Sequence, residues 1–217
     1  MNCLILTSPN SWFNQYLELL KVKILKSLPA AKITVANEPP FSSTPFKFCL
    51  ILSYEKILPE AFLSENKYNL VVHGSDLPKG KGMSPITWQI LEGKNSIPLS
   101  LFEARKELDA GDIYLRSTLE LSGYELVEEI RQKQAAATVE LISLFFEKYP
   151  DIEGVSQKGE DTFYRRRKRE DGELDINKSL KEQFNLLRIS DNEKYPAFFK
   201  VNGHKYNLAI TKEREGT

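Results

Sequence analysis

Tyr68-Asn69-Leu70-Val71-Val72-His73-Gly74-Ser75-Asp76-Leu77-Pro78-Lys79-Gly80-Lys81-Gly82 passes from a continuous apolar run into a polar, glycine-rich one. A short apolar run bounded by turn formers predicts a strand buried on both faces, the habit of a parallel sheet. Residues 2–7 and 47–53 read the same way, and Ile33-Thr34-Val35-Ala36 is similar. Between the first strand and the second, Phe13, Tyr16, Leu17, Leu20 and Ile24 recur at helical spacing behind Ser11, a candidate cap. Strands alternating with helices predict an α/β, Rossmann-like fold with a mainly parallel sheet and right-handed crossovers. Ligands of such sheets meet the carboxyl ends of the strands, which places His73 where chemistry is done.

Further along, Pro85 to Leu91 predicts a short helix that Gly93 ends, and residues 97–104 predict another strand. A longer helix is expected from about Tyr124 to Lys148, with Pro150 as its stop. Beyond it the chain turns polar and charged, so residues 1–150 are expected to form the main domain and 151–217 a small C-terminal extension. Ser179 to Arg188 is a helix candidate there. Residues 197–201 and 205–210, joined by Asn202-Gly203-His204, read as a β-hairpin. Its edge strands are the expected means of pairing in a homodimer.

The chain has 217 residues, 41% hydrophobic and 28% charged, and its 30 Lys+Arg balance 30 Asp+Glu. This is the composition of a globular protein, with no global pull toward nucleic acid. No basic leader opens the sequence and no stretch approaches the ~20 apolar residues that span a bilayer, so a cytoplasmic protein without membrane contact is expected. Cys3 and Cys49 sit inside strand-like runs and read as buried thiols, not as a disulfide or a metal site.

Only 2 histidines occur. His204 falls in the hairpin turn, which leaves His73 as the imidazole available for catalysis. Leu108-Asp109-Ala110-Gly111-Asp112-Ile113 supplies carboxylates near a glycine, a pattern that plain turn chemistry also explains. Pro78 to Gly82 is an open loop whose lysines, Lys79 and Lys81, suit a phosphate or carboxylate as readily as solvent. Arg165 to Arg169 is a basic run flanked by acids, which fits a single diphosphate better than a nucleic-acid face.

Taken together, His73-x-Ser75-x-Leu77-Pro78, Gly82-x-x-Pro85, Trp88-x-Ile90-x-x-Gly93 and Leu108-Asp109-x-Gly111-Asp112-Ile113 resemble, in order and spacing, the core of the folate-dependent formyltransferase superfamily. Downstream, Phe163 to Arg167, Asp171 to Asp175, Asn185-Leu186-Leu187-Arg188 and Tyr195 to Phe199 resemble the nucleotide-sugar branch, with wording around His73 closest to enzymes of pseudaminic-acid-type biosynthesis. The resemblance implies an N-formyltransferase that carries the formyl group of N10-formyltetrahydrofolate to the primary amine of a nucleotide-linked amino sugar. It further implies His73 and Asp109 as the catalytic pair, with His73 stabilising the developing oxyanion and Asp109 orienting the ring. Ser53, Tyr54, Met83, Pro85 and Asp112 are implied at the folate. Lys79, Lys81, Arg165, Arg166, Asn185 and Arg188 are implied at the acceptor, and no metal is implied.

One position departs from the pattern. The family's Asn-x-His has Val71 in place of the asparagine, and Asn69 lies a further pleat period, about 7 Å, away. Asn69 and Ser75 are the candidates for catalytic support. The rival readings are a methionyl-tRNA formyltransferase, which would need a larger basic domain for transfer RNA, and a catalytically silent folate-binding module.

Overall fold

The computed structural model describes residues 1–40 and 45–213, so the last four residues of the expected extension lie outside it. Strand β1 (Asn2–Leu6) has residues 3–6 wholly buried, because its two faces meet different layers. Cys3 and Ile5 join the main core, whereas Leu4 and Leu6 pack on the other face with Cys49, Leu58 and Phe62. After β1, Ser11 caps the chain through its Oγ, which accepts the Phe13 amide at 3.1 Å. The expected first helix opens as a 3-10 turn over Trp12–Tyr16 and continues as α1 (Leu17–Ser27).

Strands β2 (Lys32–Ala36), β3 (Phe48–Ile51) and β4 (Tyr68–His73) follow, with helix α2 (Glu60–Glu65) between the last two. After the two-residue β5 (Lys81–Gly82) come α3 (Pro85–Leu91), β6 (Ser96–Glu103), β7 (Ile113–Glu120) and α4 (Val127–Lys148). The sheet order is β2-β1-β3-β4-β6-β7. The first four strands are mutually parallel, while β6 runs antiparallel to β4 and β7 antiparallel to β6. The antiparallel edge and helix α2 are the parts that apolar runs alone did not announce.

Helix α4 lies against α1 and β7 and closes one face of the sheet. Phe145, Phe146 and Tyr149 meet Phe48 and Tyr68 there, largely edge to face. Cys3 and Cys49 sit on neighbouring strands, and burial pushes both thiols up to about 12. They are chemically quiet at neutral pH.

The remaining chain forms β8 (Phe163–Tyr164), α5 (Phe184–Arg188), β9 (Ala197–Val201) and β10 (His204–Leu208). Helix α5 is shorter than the expected Ser179–Arg188 helix, because residues 175–183 are taken up by turns, with Gln183 bonding Asp175 and Ser179 bonding Glu182. The hairpin turns on Asn202 and Gly203, both with positive φ, at +48° and +81°. This segment returns to the main sheet where Val155 bridges Ile113 of β7, while β8 pairs in parallel with β5 in a separate two-stranded sheet. No helix among the described residues is long and apolar enough to cross a membrane.

Candidate active site

Strand order reverses between β1 and β3, and the crevice at such a point is where open α/β sheets take ligands. A cavity of about 450 Å³ lies there, within the range of small-molecule sites. Trp12, Tyr54, Met83, Ile86 and Ile90 give it apolar wall, and the ring of His73 faces it from the end of β4. Ser53, Pro85 and Arg166 also line it, so six of the residues singled out from sequence meet in one place.

His73 is 7% exposed. Its Nε2 lies 2.9 Å from the Gly80 carbonyl and 3.9 Å from Asp109 Oδ2. The same Oδ2 accepts the Gly82 amide at 2.8 Å, so one glycine-rich loop holds both members of the pair. That loop is pinned from below, where Ser100 Oγ donates to the Ser75 carbonyl and Arg116 Nη2 to the Leu77 carbonyl.

Three non-glycine residues at or beside the cavity occupy the left-handed region: Ser53 at φ +49°, Ser84 at +54° and Asp109 at +50°. Strain of this kind, about 1–3 kcal/mol each, persists where surrounding contacts over-determine the backbone and gathers at functional sites. For Asp109 the contacts are visible. Gln157 Nε2 donates to the carbonyls of Asp109 and Gly111 at 2.9 and 2.8 Å.

Gly111 completes the turn because nothing larger fits. A Cβ there would sit 1.7 Å from the Glu103 carbonyl oxygen. Gly111→Ala must displace backbone, at a cost of about 2–3 kcal/mol. Thermal denaturation should show a melting point lower by roughly 5–10 °C, with turnover reduced as Asp109 moves.

Several expectations are corrected. Asn69 lies at the far end of β4, with Nδ2 on the Leu63 carbonyl and Oδ1 on Asn66, so it cannot support His73. Val71 packs with Leu77, Phe102 and Ile113, an apolar setting in which an asparagine would lose its partners. The Asp112 carboxylate holds Arg105 and Ser156 and does not line the cavity. Lys81 is 5% exposed and bonded to Asp161, while Lys79 is exposed outside the cavity. Arg165 is outside it too, tied to Asp171 and stacked over Trp88 with 4.7 Å to the ring centroid. Asn185 is not among the lining residues. Arg188 is fully buried against Glu125 and Asn95, so no ligand reaches it. Ser75 is 2% exposed, and its Oγ has no partner among the described residues.

The basic run expected at a diphosphate does reach the cavity, but through Arg166, Arg167, Lys168 and Arg169, which form its cationic wall, and not through Arg165. Burial pushes the Arg167 guanidinium down, with Asp171 acting against that shift. Sequence reasoning missed Gln157 and Thr162, whose contacts depend on a fold-back that no local pattern encodes.

Residues 43–145 match a family model described as formyl transferase, a span that includes both His73 and Asp109. A methionyl-tRNA formyltransferase from Sulfurihydrogenibium sp. (strain YO3AOP1) is 32% identical over 144 residues, 64% of this chain and 46% of that protein. The chain spans about half the length of the curated relatives it matches. Among solved structures, a methionyl-tRNA formyltransferase from Clostridium thermocellum superposes with a TM-score of 0.82 at 22% identity, covering 100% of this chain and 95% of that one. A 4-N formyltransferase from Francisella tularensis gives 0.74 at 13% identity over 98% of each chain. The sequence reading leaned to the sugar branch, whereas the curated relatives matched here are methionyl-tRNA formyltransferases, and solved structures of both kinds share the fold. The chain has the formyltransferase fold, and its residues 43–145 match the formyl transferase family model.

Proposed function

We propose that this chain is an N-formyltransferase that moves a formyl group from N10-formyltetrahydrofolate to the primary amine of a nucleotide-linked amino sugar. The observation that carries the reading is the His73–Asp109 pair, 3.9 Å apart, held by one glycine-rich loop at the cavity wall. The cavity suits a flat heterocycle, with apolar wall from Ile86, Ile90 and Trp12 and polar backbone at Ser53 and Met83 to Pro85. A bound folate would supply an activated formyl group.

The rest falls to the chain's own residues. As an imidazolium, His73 would keep one N–H on the Gly80 carbonyl and present the other to the oxygen on which negative charge develops as the amine attacks, a term usually large in acyl transfer. Asp109 would stabilise the charged imidazole and take part in removing the proton that leaves the attacking nitrogen. The apolar wall would exclude water and keep the formyl group from hydrolysis.

For the acceptor, Arg166, Lys168 and Arg169 stand at the cavity without a carboxylate partner among the described residues. A run this compact matches the two phosphates of a nucleotide sugar. The transfer-RNA reading is the second one, favoured by the identity of the sequence relatives. Both acceptors are tested together by mass-resolved transfer from N10-formyltetrahydrofolate to a panel of 3-amino and 4-amino nucleotide sugars and to methionyl-tRNA. A formyl mass gain on one sugar and none on methionyl-tRNA is expected. A gain on methionyl-tRNA alone would transfer the assignment to the second reading, and folate binding with no gain on any amine would mark a silent binding module.

A further inference from the structure

We propose that Thr162 is a positioning residue of the site: through the two peptide units that flank Gly80 it decides which nitrogen of His73 carries the proton and where the ring points. The inference rests on the formyl-transfer reading for its consequence, but its geometry stands without it.

Gly80 has φ +72°, and with no side chain its torsions are soft. Thr162 holds both of its flanking peptide planes. Its Oγ1 accepts the Gly80 amide at 2.8 Å, and its carbonyl accepts the Lys81 amide at 2.9 Å. The Lys81 N–H and the Gly80 C=O belong to one planar trans unit and point in opposite directions. Fixing the N–H on Thr162 therefore aims the carbonyl away from β8, and there it meets His73 Nε2 at 2.9 Å. A carbonyl oxygen only accepts, so this contact requires the proton on Nε2. Neutral His73 is thereby held as the Nε2–H tautomer, leaving Nδ1 with its lone pair, and the ring is fixed in the plane of that bond.

Neighbouring contacts hold Thr162 in its turn. Lys81 Nζ pairs with Asp161 at 2.7 Å, the Thr162 amide donates to the Pro78 carbonyl at 3.4 Å, and the Met83 amide reaches the Tyr164 carbonyl at 3.0 Å. These fix the backbone of the segment. The hydroxyl of Thr162 is the single side-chain atom among them that touches Gly80 directly.

Thr162 is exposed, so replacements are tolerated by the fold. Thr162→Val keeps shape but removes the acceptor for the Gly80 amide, so the peptide unit before Gly80 turns about its soft torsions and takes the adjoining carbonyl with it. Thr162→Ser restores the acceptor. The readouts are long-range 15N–1H spectra of the imidazoles, clean because the chain has 2 histidines and His204→Gln removes the other, and steady-state kinetics.

Wild type and Thr162→Ser should show the Nε2–H pattern for His73, and Thr162→Val a tautomer mixture. The Val variant should also lose about tenfold in kcat, with KM for donor and acceptor changed less than about twofold, the scale of one lost hydrogen bond. A Val variant that keeps the wild-type tautomer and kcat overturns the proposal, as does a Ser variant that behaves like Val. Should Val not fold, Thr162→Ala is judged by the same spectra. A tautomer change in a protein that transfers no formyl group would uphold the positioning and sink the functional reading, so the two fail separately.

Discussion

Turnover in His73→Asn is expected to fall by about a thousandfold, with the melting temperature within a few degrees of wild type. The asparagine amide can still donate toward the Gly80 carbonyl, so the loop keeps a partner while the titratable ring is gone. Asp109→Asn should cost about a hundredfold or more, because the amide oxygen can retain the Gly82 N–H but no longer carries the charge that steadies an imidazolium. The two losses should not add in the double variant, since groups that act as a unit are lost together. Single-turnover formyl transfer followed by mass, with folate binding measured in parallel, checks all three. Unimpaired turnover in His73→Asn would remove the imidazole from the chemistry and leave the pair as a structural tie.

What the sequence made legible follows from how local the causes are. His73 at the end of a buried run, Asp109 in a Leu-Asp-x-Gly-Asp turn, Ser53 and Tyr54 beyond a strand, and Met83 to Pro85 before a helix are all set by their own neighbourhoods, and the cavity gathers them. Val71 was visible as a departure, but its meaning needed the fold, since Leu77, Phe102 and Ile113 come to it from three different segments. Most of the misplaced residues are cations, Lys79, Lys81, Arg165 and Arg188, with Asn69, Asp112 and Asn185 beside them. Charge says that Arg165, Arg188 and Lys81 need partners, and only the tertiary path shows that Asp171, Glu125 and Asp161 already supply them. The same path brings Gln157 to the Asp109 turn and Thr162 to Gly80. Residues after α4 thus brace the pair from two sides, although their composition reads as surface.

Glu125→Gln is expected to destabilise the fold by about 3 kcal/mol at pH 7, near the lower end for breaking a buried ion pair. Arg188 is 0% exposed, its Nη1 lies 3.5 Å from Glu125 Oε2, its Nη2 donates to Asn95 at 2.6 Å, and its Nε has no partner among the described residues. Without the carboxylate a guanidinium charge stays buried with a single amide oxygen to answer it. Burial by itself would push the Glu125 carboxyl up, but hydrogen bonds from Lys133 and the Ser122 amide outweigh that and hold it at about 2, below the 4.5 of an unperturbed glutamate. A carboxyl with a depressed folded-state pKa contributes stability that is complete above its unfolded pKa and disappears as pH falls through the folded one. The window here runs from about pH 4.5 down to about 2. Urea midpoints for wild type and Glu125→Gln should therefore differ most at pH 6–7 and converge as pH drops below about 4, the gap shrinking by up to ~3 kcal/mol. A gap that stays constant from pH 7 to 3 would show that packing, not charge, ties α5 to the loop before α4. In that case Arg188→Met, which fills the same space without a charge, should be tolerated in the native protein at neutral pH.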